Sequence, residues 1–250
     1  MKQTWRYPWV FAPNLSEGVD VLPLSEEEFR HVAFVLRCKN GETLVAFDGK
    51  GGVHLGTLAL TARQGFIHFK SDFEKNSQAS KQYNLVQFLP NNVATFEIVL
   101  RKCCELGIRA IYTVFGERSE RKQWVSEIWK KRMDRFQRIL IESCKQAKNP
   151  YLPQLFLPET ISTINWQELG CCFHGSLFGK PCLGGQENAT DLYSIIVGPE
   201  GGFSEKEEQF LSSVSSGICL PTCVLRTETA VVSLITAAKL GTRFSFIANS

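Results

Sequence analysis

The sequence has no apolar run long enough to cross a bilayer. Its most apolar stretch, Thr229–Ala238, has ten residues, about half of the ~20 that a transmembrane helix needs. The first residues, MKQTWRYPWVFAP, contain aromatics and two prolines where a signal peptide would have a smooth apolar core. We therefore expect a cytoplasmic chain without a membrane partner.

The sequence also lacks the spacing of a metal site. Its nine cysteines include no C-x-x-C pair, and only four histidines are present, so we predict no metal. We expect the cysteines to be reduced, small, buried apolar residues. The phosphate-binding patterns G-x-x-x-x-G-K-[ST] and G-x-G-x-x-G are absent as well, which argues against a P-loop or a dinucleotide fingerprint.

Charge is unevenly distributed. Residues 101–150 contain 13 Lys and Arg against 6 Asp and Glu, whereas the rest of the chain contains 15 against 19. A basic block in a slightly acidic protein indicates an anionic partner such as nucleic acid. A solvated helix face has the same composition, so charge alone leaves both interpretations open.

Two domains are predicted. Residues 1–75 contain one helix, Ser25–Leu36, and three β-rich segments, Glu42–Phe47, Val53–Leu60 and Gly65–Phe69, which favours a small β-barrel. A polar linker, 76–83, follows. In residues 84–250, strands alternate with helices, which is typical of an α/β fold with a parallel sheet. The predicted strands there are Leu85–Leu89, Ile108–Phe115, Leu155–Leu157, Cys171–Phe173 and Ser194–Val197, and the long helices are Trp124–Ala147 and Thr227–Leu240.

The first motif that indicates chemistry is the strand Ile195–Val197 followed by Gly198-Pro199-Glu200-Gly201-Gly202 and a helix that Ser204 would cap. A loop at the carboxyl end of a parallel strand is where open α/β sheets bind ligands. We expect the backbone at Gly201 to pack against the ligand, in a conformation that glycine adopts freely. A tight turn without a ligand is the alternative.

The second motif is Leu225-Arg226-Thr227-Glu228-Thr229-Ala230, before an apolar helix. Thr227 as N-cap and Glu228 near the positive helix end would be ordinary capping. Arg226 does not fit that explanation, because a cation beside a helix N-terminus is unfavourable. A residue that breaks a local rule is a candidate for function.

Together, GPEGGFS and LRTETA resemble the bacterial 16S ribosomal RNA (uracil(1498)-N(3))-methyltransferase family of the SPOUT superfamily. Further resemblances lie in the H-x-x-x-V-L-R of His31–Arg37, the F-D-G of Phe47–Gly49, the K-x-x-E-L-G of Lys102–Gly107, the E-R-S of Glu117–Ser119, and Glu142, Gln146 and Pro153. The family implies an N-terminal PUA-like β-barrel, a C-terminal SPOUT sheet with a deep trefoil knot, S-adenosyl-L-methionine as cofactor, a homodimer, and 16S ribosomal RNA as partner, within the small subunit.

The resemblance also implies site residues. The cofactor-binding positions are His174, Gly175, Val197, Gly198, Pro199, Glu200, Gly201, Gly202, Leu220, Leu225, Thr227, Thr229 and Ala230. The catalytic candidates are Arg226 for charge stabilisation, Glu228 to orient it, and Glu200 as a base. The RNA-binding candidates are Arg37, Arg118, Arg132 and Arg135.

Four positions depart from the family pattern: Asn91, Asn149, Pro221 and Cys223. At three of them a cation is lost, which would weaken contacts to RNA phosphates. The predicted function is methylation of N3 of a uridine in small-subunit ribosomal RNA. Two alternatives stay open: a knot methyltransferase for another RNA position, and a ribosome-assembly or RNA-binding factor that has lost activity.

Overall fold

The computed structural model describes residues 4–69, 74–75, 81–119, 124, 126–181 and 190–241. The chain divides into two compact units. The first comprises Met1–Gln78 and Ile141–Leu152, and the second Ala79–Leu140 and Pro153–Ser250. The predicted linker 76–83 lies partly outside the described residues, and its last two positions already belong to a strand.

The first unit is built on a sheet of short strands. They are β1 (Trp9–Phe11), β2 (Val21–Pro23), β3 (Thr43–Phe47), β4 (Gly52–Leu60), β5 (Gly65–Phe69) and β6 (Glu74–Lys75). The order is β1-β3-β4-β5-β2, with β6 paired to β4, and every pair is antiparallel except β1–β3. β1 and β2 have three residues each, too few to show the alternation by which the longer strands were predicted.

The predicted helix Ser25–Leu36 is confirmed as one helical stretch, with a change of helix type in its second half. Ser25 does cap a helix, α1 (Glu26–Arg30), by accepting the Glu28 N–H at 3.2 Å. The chain then continues as a π-helical turn, His31–Val35. This turn ends at Arg37, which has a φ of +55°.

The second unit is a parallel α/β sheet. Its elements are β7 (Gln82–Phe88), α2 (Val93–Glu105), β8 (Ala110–Phe115), α3 (Ser126–Ala147), β9 (Gln154–Leu155), β10 (Glu159–Thr160), β11 (Cys171–Pro181), β12 (Leu192–Val197), α4 (Glu205–Val214), β13 (Ser216–Cys219) and α5 (Thr227–Gly241). The strand order is β10-β8-β7-β12-β11-β13, with β9 paired to β8, and all pairs are parallel. The end of α3, from Ile141, belongs to the first unit. The trefoil knot stays a prediction.

Burial on both faces explains the apolar runs in the central strands. Leu85, Val86, Ile195 and Ile196 are fully buried, as expected for parallel strands covered by helices. Gly107 follows the end of α2 in a left-handed conformation: its φ is +62°, and the Ile108 N–H donates to the Cys103 carbonyl (2.9 Å).

Most described cysteines are buried, as predicted. Burial raises the pKa of the Cys172 thiol to about 12, which disfavours the thiolate. Cys223 is exposed, because it lies in the loop before α5 instead of a strand. Cys182 lies outside the described residues.

Candidate functional site

Parallel pairing brings the carboxyl ends of β7, β8 and β12 to one edge of the sheet. The chain segments that leave this edge are 89–92, 116–119 and 198–204. Such an edge is the usual ligand position in an open α/β sheet.

The segment Gly198–Ser204, here called the glycine loop, is a tight turn followed by a capped helix. The Gly202 N–H donates to the Pro199 carbonyl (2.9 Å), and Gly202 has a φ of +67°. Ser204 caps α4, as predicted, by accepting the Glu207 N–H (3.2 Å). The Phe203 ring packs edge-on against Phe88 at a centroid distance of 4.9 Å, which fixes the end of the glycine loop on the sheet.

A buried carboxylate joins the glycine loop to the segment after β8. Glu207 is 4% exposed. One of its oxygens accepts the Ser204 N–H and the other accepts the Glu117 N–H, both at 2.7 Å. Because both acceptors are used on backbone groups of different segments, the carboxylate fixes their relative position. The S-x-x-E pattern of Ser204–Glu207 is typical of a capping box, but no local pattern indicates the contact with Glu117.

Arg118 forms a second link between the same segments. Its Nη1 donates to the Gly201 carbonyl at 2.7 Å. A Cβ built on Gly201 would lie 3.3 Å from the Cβ of Arg118. The expected backbone conformation is therefore corrected: the left-handed residue is Gly202, and the space beside Gly201 holds the Arg118 side chain. Contact of Gly201 with a ligand stays a prediction.

Glu200 forms a third link, to the segment after β7. Its Oε2 accepts the Asn91 N–H at 2.7 Å. Asn91 is one of the positions that depart from the family pattern, yet its backbone supplies this contact whatever its side chain. One Glu200 oxygen is thus committed to a structural hydrogen bond, which leaves Oε1 for the predicted role as a base.

The second motif lies in the segment Leu220–Arg226, here called the open loop, and in the first turn of α5. Thr227 is the first residue of α5, and its hydroxyl donates to the Gly198 carbonyl at 3.4 Å. It therefore connects α5 to the glycine loop, and the prediction that it caps its own helix is not supported. Arg226 is exposed and, among the described residues, makes no ion pair; in particular, it is not paired with Glu228.

The remaining predicted cofactor residues occupy three kinds of position. Val197 is buried at the end of β12, Leu220 and Leu225 are partly exposed in the open loop, and Thr229 and Ala230 lie in the first turn of α5. Val224, between Leu220 and Leu225 in the open loop, is 77% exposed. Among the predicted cofactor residues of the open loop and α5, only Thr227 has a described hydrogen bond to the glycine loop, so the contact of these residues with S-adenosylmethionine stays a prediction.

His174 and Gly175 are explained by packing. His174 is 2% exposed; its Nδ1 lies 2.8 Å from the Ser215 hydroxyl, and its Nε2 lies 3.6 Å from a Glu208 oxygen. Burial lowers the pKa of His174, and the Glu208 carboxylate opposes that shift. A Cβ on Gly175 would lie 2.7 Å from a methyl of Leu234 in α5. Both residues thus have structural partners on opposite faces of β11, and cofactor contact stays a prediction.

The four predicted RNA-binding arginines differ in their surroundings. Arg37 is exposed in the first unit, and Arg118 binds the glycine loop. Arg135 forms a two-point ion pair with Glu97, with distances of 2.5 and 2.9 Å. Arg132 has a buried Nη1 without a hydrogen-bond partner among the described residues. The structure therefore uses Arg118 and Arg135 internally, which sequence charge could not reveal.

The described residues contain neither a candidate metal cluster nor a membrane span. No group of three or more His, Cys, Asp or Glu side chains there is arranged to hold a metal ion. No helix in the described ranges combines the length and the apolar character needed to span a membrane.

Comparison with known proteins gives a consistent family. A model of the RNA methyltransferase domain matches residues 77–239, and a model of the RNA methyltransferase PUA domain matches residues 24–66. Ribosomal RNA small subunit methyltransferase E of Aquifex aeolicus is 34% identical over 158 residues, which are 62% of this chain and 67% of that protein. A second relative, ribosomal RNA small subunit methyltransferase E 1 of Borreliella burgdorferi, is 29% identical over 88% of this chain and 93% of its own length.

A solved structure extends the likeness to three dimensions. The crystal structure of a ribosomal RNA small subunit methyltransferase E from Neisseria gonorrhoeae, bound to S-adenosyl methionine, has a TM-score of 0.80 and 26% identity. The alignment covers 94% of this chain and 97% of that one. The matched family models and the fold define an RNA methyltransferase with an N-terminal PUA domain. The chain belongs to the ribosomal RNA small subunit methyltransferase E family.

Proposed function

We propose that this chain transfers the methyl group of S-adenosylmethionine to N3 of one uridine in small-subunit ribosomal RNA. The observation that carries the proposal is the glycine loop held by Glu207 and Arg118 and joined through Thr227 to the helix that follows Arg226. This arrangement places a preformed backbone surface beside an exposed arginine. The named activity of the relatives and the cofactor bound in the Neisseria structure support this assignment.

The chemistry sets two tasks for the residues of this chain. S-adenosylmethionine supplies an electrophilic methyl group. N3 of uracil is an imide nitrogen that carries a proton, so a base must accept that proton as N3 becomes a nucleophile. The negative charge that develops is shared with the uracil carbonyl oxygens, and a nearby cation stabilises it.

We assign these tasks to residues of the two motifs. Arg226 stabilises charge on a uracil oxygen, because it is exposed and is not neutralised by an ion pair among the described residues. Glu200 is the candidate base, through the oxygen that does not accept the Asn91 N–H. N3 lies on the Watson–Crick edge, so the uridine must be unpaired or extruded from its stack when it reacts.

The partners are part of the proposal. The substrate is 16S ribosomal RNA within the small subunit, the first unit helps to hold it, and the protein works as a homodimer in the cytoplasm. Among the exposed cations of α3, Lys130 and Lys131 are better candidates for phosphate contacts than Arg135, which is bound to Glu97.

The test combines cofactor binding with product analysis. Calorimetry should detect S-adenosylmethionine binding to the full chain, and small subunits that lack the modification should gain one methyl group, located at uridine N3 by mass spectrometry. Subunits already methylated at that position are the control. A methyl group at another RNA position would support the first alternative. RNA binding without methyl transfer would support the factor that has lost activity.

A further inference from the structure

An exposed apolar segment follows α1 in the first unit. Phe34 and Val35 are each 68% exposed, and Leu36 is 42% exposed, whereas Val32 in the same π-helical turn is fully buried. Three consecutive exposed apolar side chains are unfavourable in water unless they meet a partner. π-helical turns are often found at functional sites. This segment therefore needs an explanation beyond the folding of the unit.

The Phe34 ring is held in position although most of it is exposed. It makes an edge-to-face contact with Phe29, with a centroid distance of 6.0 Å and an interplanar angle of 80°. Phe29 packs against the core of the unit. Phe34 is thus an aromatic ring supported from one side and open to solvent on the rest of its surface.

Arg37 occupies a backbone position that favours glycine. Its φ is +55°, and this left-handed residue reverses the chain so that the Cys38 N–H donates to the Val32 carbonyl (3.0 Å). At such a helix end glycine pays no steric penalty and arginine does. A residue that is unfavourable for the local fold indicates that its side chain is needed for something else.

Two cations follow the ring closely in the chain. Arg37 and Lys39 come three and five residues after Phe34, and the acidic residues nearest to this segment in the sequence are Glu28 and Glu42. Arg30 is paired with Glu26 at 2.7 Å. In the described part of the chain, Arg37 and Lys39 take part in no ion pair.

We propose that Phe34 and Arg37 form a binding site for one unpaired nucleobase and its phosphate, with the base stacked on the Phe34 ring and the phosphate bound by Arg37. This inference rests on the proposed function, because RNA is the ligand. An aromatic face beside a cation is how single strands are bound, with stacking and charge acting together. A second protein chain fits less well, because three side chains fall far short of the ~800 Å² that each partner buries in a stable interface.

Stacking is tested with the full-length protein and two fluorescent probes: a short oligouridylate and the same strand without bases. Phe34→Ala should weaken oligouridylate binding about tenfold and leave binding of the abasic strand unchanged. Phe34→Trp should bind oligouridylate about as well as the wild type, because an indole also stacks. Trp5→Ala is the matched control, since Trp5 is an aromatic residue of the same unit with 64% exposure.

The phosphate contact is tested separately. Arg37→Gly should leave the melting temperature equal or higher, because glycine suits the left-handed backbone. It should reduce the slope of log affinity against log salt concentration by about 0.7 for the single strand, whereas Phe34→Ala should leave the slope unchanged. Arg30→Ala, which removes an exposed arginine already paired with Glu26, is the control.

Three results would overturn the inference. Phe34→Ala binding both strands like the wild type would exclude stacking, and equal losses for both strands would mean a general defect. A change of oligomeric state in Phe34→Ala, measured by sedimentation, would make the segment a protein interface. None of these results depends on methyl transfer, so they are distinct from a failure of the proposed function, which would appear as unmethylated subunits with the wild type.

Discussion

The glycine loop and the open loop meet at the start of α5, but they are held in different ways. The glycine loop is linked to two other segments by Glu207, Arg118 and Glu200. The described hydrogen bonds of the open loop are local, such as the Thr222 N–H to the Leu220 carbonyl at 2.7 Å, and residues 221–224 are exposed. One side of the candidate site is therefore preformed, and the other is free to adapt to a ligand.

Because the two loops are held differently, substitutions in them should have different effects on the reaction and on stability. Ligand-binding segments with few buried contacts belong to the less stable parts of a fold, so substitutions in the open loop should change the reaction more than the stability. Substitutions in the glycine loop or its supports should change stability and cofactor affinity together, because a distorted loop cannot present its backbone correctly.

The largest effect is expected for Arg226→Ala. Loss of one charge-stabilising group should lower the rate of methyl transfer by about 10²–10³, with S-adenosylmethionine affinity and melting temperature close to those of the wild type. Single-turnover methylation of unmodified small subunits at saturating cofactor measures the rate, and calorimetry measures the affinity. Arg226→Lys, which keeps the charge, should lose less. If S-adenosylmethionine affinity fell together with the methyl-transfer rate, Arg226 would instead have a structural role in the site.

Glu207→Ala, which removes a support of the glycine loop, should have the next largest effect. It leaves the N–H groups of Ser204 and Glu117 without their acceptor, at a cost of about 1–3 kcal/mol each. The second unit should melt at a markedly lower temperature, and cofactor affinity should fall with it. Glu205→Ala is the matched control on an exposed residue of the same helix turn, with an expected change within about 0.5 kcal/mol. Equal melting temperatures for the two variants would contradict the role of Glu207.

A smaller effect should separate the two adjacent glycines. Gly202 has a φ of +67°, so Gly202→Ala should cost about 1–2 kcal/mol and weaken cofactor binding. Gly201→Ala meets only the Arg118 side chain, at 3.3 Å, and a flexible side chain can shift. Thermal unfolding of both variants shows which substitution lowers the stability more. A larger loss for Gly201→Ala would restore the expectation drawn from the sequence.

The sequence predicted the parts of the site that depend on local pattern. The strand predicted at Ser194–Val197, the Ser204 cap and the C-terminal helix follow from β-propensity, cap chemistry and helical periodicity. The family resemblance then gave the methyltransferase class, which the comparisons confirmed. Neither source predicted the supports of the glycine loop.

Those supports were missed because they join residues far apart in the chain. Arg118 and Gly201 are 83 residues apart, and Asn91 and Glu200 are 109 apart. No periodicity links such positions, and a charged side chain in a basic region is as consistent with RNA binding as with an internal hydrogen bond. The same ambiguity made Arg135 an RNA-binding candidate, whereas it pairs with Glu97 on α2.

A substitution of Arg118 can distinguish an internal hydrogen bond from RNA binding. It has the smallest expected effect of the variants considered. If Arg118 positions the glycine loop, Arg118→Ala removes one exposed hydrogen bond to the Gly201 carbonyl, worth about 1 kcal/mol, and S-adenosylmethionine affinity should fall about fivefold. RNA affinity and its salt dependence should not change. If Arg118 instead binds RNA phosphate, as the sequence suggested, cofactor affinity should stay constant and the salt slope should fall by about 0.7–0.9. Arg118→Lys sharpens the test, because lysine keeps the charge that a phosphate needs but lacks the planar guanidinium that reaches the carbonyl.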